Sequence, residues 1–165
     1  MKRKYELTDE TMELYGTTLH RIKASCDFSD VKAGDLGGWV EKEDNLSHDG
    51  NAWVYGNAKV GGNAEIYGYA WVYGNAEVDG NAEIHGDVRV NSNKDYIVFK
   101  DWWNSGRYFT WTRSNDKWRA GDFYGTGDEL VNKAYQHSET SGREYARIVE
   151  YVNQIKKLEN NKNNK

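Results

Sequence analysis

The side chains able to do chemistry are few and scattered. The chain has four histidines, at His20, His48, His85 and His137, and a single cysteine, Cys26. An imidazole titrates near neutral pH and serves as a general base, yet no serine and carboxylate stand with any of the four in triad order. No metal-ligand spacing or phosphate-cradling glycine loop surrounds them either. A lone cysteine excludes an internal disulfide and reads as a small hydrophobe. The densest pattern lies near the C-terminus, where Arg107, Arg113 and Arg119 interleave with Trp102, Trp103, Tyr108, Phe109, Trp111, Trp118, Phe123 and Tyr124. A guanidinium pairs bidentately with phosphate and stacks beside an aromatic ring, so the pattern suits an anion or a base. Arg107, Trp111, Arg113, Trp118 and Arg119 are therefore the candidate ligand-binding residues. No catalytic residue, metal ligand or cofactor is expected. The bland alternative is that these aromatics form the core of a small segment.

Those residues belong to a chain of 165 residues with 22 basic and 26 acidic side chains, unevenly spread. Residues 1–35 carry 6 basic and 7 acidic groups, residues 36–93 carry 3 and 9, and residues 94–165 carry 13 and 10. An anion would thus be drawn to the C-terminal third and repelled from the middle. Mean hydropathy is −0.95, and no stretch approaches the ~20 apolar residues of a membrane span. The basic N-terminus has no apolar run behind it, so no secretory signal is expected and the protein reads as cytoplasmic.

The middle is repetitive. From Asn51 the chain reads NAWVYG, NAKVGG, NAEIYG, YAWVYG, NAEVDG, NAEIHG, DVRV. One position holds Val54, Val60, Ile66, Val72, Val78, Ile84 and Val90; two residues earlier stand Ala52, Ala58, Ala64, Ala70, Ala76, Ala82 and Val88. Because strand side chains alternate faces, these two sets point inward together. Extending the phase backward places Leu36, Lys42 and His48 inward as well, with Val40 and Leu46. Stacking at period eighteen collects Trp53, Tyr55, Trp71 and Tyr73 on one outward face, a candidate interface for another copy or for the chain's own ends. The other two faces are largely acidic.

Upstream, residues 1–35 alternate around Tyr15-Gly16 and read as a β cap. Downstream, YIVFKDWW, GRYFTWTRS and KWRAGDFYG suggest a three-stranded antiparallel meander. Thr126 with Glu129 and Ser141 with Glu144 have capping-box spacing, announcing two helices. The division is 1–35 cap, 36–92 repeats, 93–158 aromatic α+β segment, and 159–165 a disordered tail by composition.

These hexads resemble the hexapeptide-repeat family of left-handed parallel β-helices. The resemblance implies a mainly β protein with a short left-handed parallel β-helix of about three coils, an N-terminal β cap and a C-terminal meander plus two helices. The stretches TLHRIKA, GDLGGWVEKEDNLS, YGNA and GRYFTWTRS also look like small phage and prophage proteins of low-GC bacteria. That resemblance implies a phage-encoded binding module acting in the bacterial cytoplasm against host defence, on a host protein or a nucleotide-type signal. Direct nucleic-acid binding and membrane association are not expected. Homo-oligomer formation through the aromatic face is one alternative. The other is a minimal acyltransferase, since the hexapeptide family includes enzymes that use a histidine and coenzyme A; it requires an exposed histidine beside a cleft. A protein without catalysis is the reading the residues favour.

Overall fold

The computed structural model describes residues 2–165, and the chain is mainly β with two helices at its C-terminal end. Strands β1 (Tyr5–Leu14) and β2 (Thr17–Ala24) pair antiparallel across Tyr15 and Gly16, whose φ values are 50° and 81°. Positive φ at both central residues is what a two-residue hairpin turn needs to match the strand twist. β3 (Leu36–Val40) adds antiparallel to β2.

Seven two-residue strands then follow at six-residue spacing: β4 (Trp53–Val54), β5 (Lys59–Val60), β6 (Glu65–Ile66), β7 (Trp71–Val72), β8 (Glu77–Val78), β9 (Glu83–Ile84) and β10 (Arg89–Val90). Each pairs in parallel with the strand eighteen residues away: β4 with β7 and β7 with β10, β5 with β8, β6 with β9. Successive strands therefore go to three different sheets and the chain returns to each after three hexads. Backbone bonds such as Tyr55 N–H to Val72 O (2.8 Å) and Tyr67 N–H to Ile84 O (3.0 Å) tie one level to the next. The aliphatic and alanine positions are no more than 1% exposed and form one continuous core.

The first level departs from the period. Val40 pairs with Val60 and Leu46 bridges to Ile66, an offset of twenty residues. Two additional residues thus lie between Leu46 and Val54, and Val40 and Leu46 take the aliphatic positions. Leu36, expected inside, is 53% exposed, Lys42 also leaves the interior, and His48 is partly buried under the cap with its Nε2 buried and without a hydrogen-bond partner. For Lys42 the physical reason is that an unpaired ammonium inside an apolar core costs several kcal/mol by order of magnitude. A 3-10 turn (Glu43–Asn45) makes the corner instead, and buried Asn45 donates its amide to Gly62 O (3.2 Å) and Ala64 O (2.8 Å). His48 stacks on Tyr5 at 4.3 Å and accepts from the Lys4 backbone N–H.

The N-terminal hairpin covers this level: Tyr5 donates its hydroxyl to Leu46 O (2.7 Å), and buried Lys4 donates Nζ to Ala52 O (2.8 Å). Such donors satisfy carbonyls that an open sheet end would leave orphaned. At the other end β11 (Tyr96–Lys100), β12 (Tyr108–Thr112), β13 (Lys117–Ala120) and β14 (Phe123–Gly125) form a four-stranded antiparallel sheet. Three strands were expected; the last run folds back on itself at Gly121, where φ is 57°. Strand β12 is covered on both faces. Phe109 and Trp111 pack with Leu130, Val149 and Val152 of the helices, whereas Thr110 Oγ1 on the opposite face accepts from the Glu83 N–H of the repeats.

Helix α1 (Gly127–His137) starts at the expected capping box of Thr126 and Glu129. Helix α2 (Glu139–Asn163) starts earlier than the spacing of Ser141 and Glu144 suggested: Ser138 is the cap and accepts from Ser141 N–H. It also runs through residues 159–163, which composition had assigned to a disordered tail. Glu159 pairs there with Arg113 and anchors the last turns to the sheet. Among the described residues no helix is long and apolar enough to cross a membrane.

Candidate functional site

The structure brings three of the five residues of the arginine–aromatic pattern together, Trp118 opposite Trp111 across β13 and β12 and Arg113 Cζ 5.4 Å from the Trp111 ring, but not at an open site. Trp111 is 0% and Trp118 2% exposed; both lie in the core between sheet and helices, and Trp111 Nε1 donates to Asp116 Oδ1 at 2.8 Å. Neither can meet a ligand. In a segment this small, the large aromatics supply most of the apolar volume available. Arg113 is spent on Glu159, on Asp95 and on the Lys94 carbonyl. Arg119 Nε lies 3.2 Å from Glu83 Oε2, pinning the sheet to the repeats. Arg107 alone of the five faces an open cleft.

That cleft, of about 360 Å³, lies between the loop after β11, the β13–β14 turn and both helices, with Asp101, Arg107, Asp122, Lys133, His137 and Tyr145 among its walls. Buried Asp101 builds the loop, accepting from Gly106 N–H (2.6 Å) and Ser105 Oγ (2.9 Å), and so sets where Arg107 leaves it. Gly121 leaves room for the guanidinium, because a Cβ there would sit 2.9 Å from Arg107 Cζ. Trp103 Nε1 donates to Ser141 Oγ (3.2 Å), and Ser141 lines the cleft. Burial pushes the Tyr145 hydroxyl up, with Asp101 adding to the rise and Arg107 opposing it. His137 ends α1 as an exposed imidazole, and Lys133, one turn earlier on the same helix face, lies over the Phe123 ring at 5.6 Å. The i, i+4 spacing of Lys133 and His137 was the one sequence signal for this wall.

The aromatic face is divided rather than continuous. Trp53 is 1% exposed, covered by Tyr5 and Phe28 with ring centroids 6.1 and 5.2 Å away. Its cover is therefore this chain's own N-terminal cap. Tyr55, Trp71, Tyr73 and Arg89 line a shallow trough, with the Arg89 guanidinium 4.0 Å above the Trp71 ring and the Tyr55 hydroxyl donating to Asp30.

His85, one of the four histidines and outward on an acidic face of the repeats, sits in a further constellation that joins it to the C-terminal sheet. Its ring is 4.4 Å from Tyr67 and 4.7 Å from Tyr124, and Nδ1 is buried without a partner. Burial, aided by the Arg119 charge and opposed by Glu83, lowers its pKa below the ordinary imidazole value. Among the described residues no group of three or more His, Cys, Asp or Glu is arranged to hold a metal ion.

No family model matches the chain. It is 37% identical over 81 residues to the uncharacterized acetyltransferase YdcK of Escherichia coli (strain K12), over 40% of this chain and 25% of that protein. The chain thus spans about a quarter of the length of the curated relative it matches. This match corrects the expectation of a protein without catalysis, for the relative bears the name of an acetyltransferase.

Proposed function

We propose that this protein transfers an acyl group from a thioester, with residues 36–92 wound as a left-handed parallel β-helix of about three coils of the hexapeptide-repeat type. The parallel pairing at eighteen residues supports the winding. The observation that carries the activity is the exposed His137 on the wall of the cleft, beside two cationic side chains. The partial likeness to a named acetyltransferase agrees with it. In this reading His137 takes the proton of an acceptor hydroxyl or amine as that atom attacks the thioester carbonyl. The tetrahedral intermediate collapses with cleavage of the C–S bond, and the imidazolium returns the proton to the departing thiolate. Geometry, not burial, qualifies this imidazole over His85, which is wedged between two tyrosine rings.

The test is release of free thiol from acetyl-coenzyme A by the full chain in the presence of a mixed set of small amines and hydroxyl compounds. Removal of a general base costs about 10²–10⁴-fold. His137→Ala and His137→Gln should therefore lose at least ~100-fold in rate while keeping the parent circular dichroism. No thiol release by the parent, or undiminished release by both variants, would overturn the proposal.

A further inference from the structure

We infer that the cleft binds a small ligand through its carboxylate or phosphate group, held between Arg107 and Lys133. The inference deepens the acyl-transfer reading by giving the substrate an anionic group, and its binding test stands apart from turnover. The first observation is electrostatic. Every other arginine of the chain is in an ion pair: Arg3, Arg21, Arg89, Arg113, Arg119, Arg143 and Arg147 all have a carboxylate within 4.0 Å. Arg107 has none among the described residues, and its guanidinium makes no hydrogen bond there either. Lys133 likewise has no carboxylate partner and only the Phe123 ring beneath it. Two cations that line one cleft without an ion-pair partner repel each other, and an anion between them relieves that repulsion.

The carboxylates nearby do not fill this role. Asp101 is buried and already accepts two hydrogen bonds from its own loop. Asp122, on the cleft rim, forms no ion pair with either cation. The guanidinium lies close against Gly121, where a Cβ would come within 2.9 Å of Arg107 Cζ, so a side chain at that position would displace it. At about 360 Å³ the cleft is at the lower end of small-molecule sites, which fits a metabolite bearing one anionic group and not a polymer. The acidic repeats repel the same anion and leave this end as the favoured approach.

The experiment uses two probes, inorganic phosphate and succinate, added to the full-length protein while the Arg107 Nε–H resonance is followed by NMR and affinity is measured by calorimetry. Saturable shift of that resonance by either probe supports the site; phosphate alone, or succinate alone, identifies the group it takes. A charge-assisted contact contributes about 1.5–3 kcal/mol, so Arg107→Ala should weaken the probe roughly 10- to 100-fold. Lys133→Gln should weaken it as well, Asp122→Asn should strengthen it, and Arg147→Ala should leave it unchanged. An unmoved Arg107 signal with both probes, or parent-like affinity in Arg107→Ala and Lys133→Gln, overturns the inference. Anion binding without thiol release sinks only the acyl-transfer reading, and thiol release without anion binding sinks only this one.

Discussion

His85 shows how a single side chain couples two parts of the molecule. It is an outward residue of the repeats, yet its ring is pressed between Tyr67 of the repeats and Tyr124 of the C-terminal sheet, with Arg119 and Glu83 as the charges that face it. Its folded pKa lies below the unfolded value, so the folded state favours the neutral ring. Stability is then full above the unfolded pKa of about 6.5 and falls as pH drops through that value toward the folded one. Thermal melting at pH 7 and pH 5.5 should show a drop in the parent that is smaller in His85→Phe, which keeps the stack and removes the proton. Equal drops in the two proteins would locate the acid sensitivity elsewhere. Lys4 is perturbed in the same direction: burial lowers its pKa to about 8, against the pull of Asp49 and Cys26. Its hydrogen bond to Ala52 O explains why an ammonium sits in the cap at all.

At the scale of elements, the repeats are strands of two residues, too short to persist alone, and each is held by the level above and below. The inward aliphatic positions bear that load. Val72 is in β7, the middle strand of its sheet, and is 0% exposed. Val72→Asp places a carboxylate where neither water nor a cation reaches it, which is among the mechanisms that cost more than about 4 kcal/mol. The variant should fail to give a cooperative melt. Glu77→Gln on β8, outward and 4.0 Å from Lys59, loses only a weak surface pair, and its midpoint should stay within about 0.5 kcal/mol of the parent. Comparable stability for Val72→Asp and the parent would mean that the inward register is wrong.

The whole molecule is built so that the open ends of the repeats are covered by the chain's own termini. Trp53 lies beneath that cover, whereas Trp71, eighteen residues on, lies in the open trough under Arg89. Trp53→Ser should cost about 3–5 kcal/mol in urea unfolding, the range for deleting a buried aromatic. Trp71→Ser should cost roughly 1–2 kcal/mol, in proportion to its partial burial. Light scattering on both variants adds the assembly: a fall in mass on Trp71→Ser alone would mark the trough as a contact between copies. Equal unfolding costs at the two positions would contradict the division of this face.

Much of the molecule was legible in the chain alone where the information is local and repeated. Seven aliphatic residues six apart, with six alanines and Val88 two before them, specify inward faces because strand geometry has period two and each level copies the last. The Tyr15-Gly16 turn and the Thr126–Glu129 cap were equally readable, since both are satisfied within a few residues. What only the tertiary structure decided depends on partners distant in sequence. The two additional residues before Val54 appear only when Val40 meets Val60. Arg113 and Arg119 look like ligand groups until Glu159 and Glu83 come to them from 46 and 36 residues away. The cleft that brings Arg107 beside Lys133 and His137 exists only because two helices fold back over a sheet. A charge is free or spent according to what packs against it, and no window of sequence contains that neighbour.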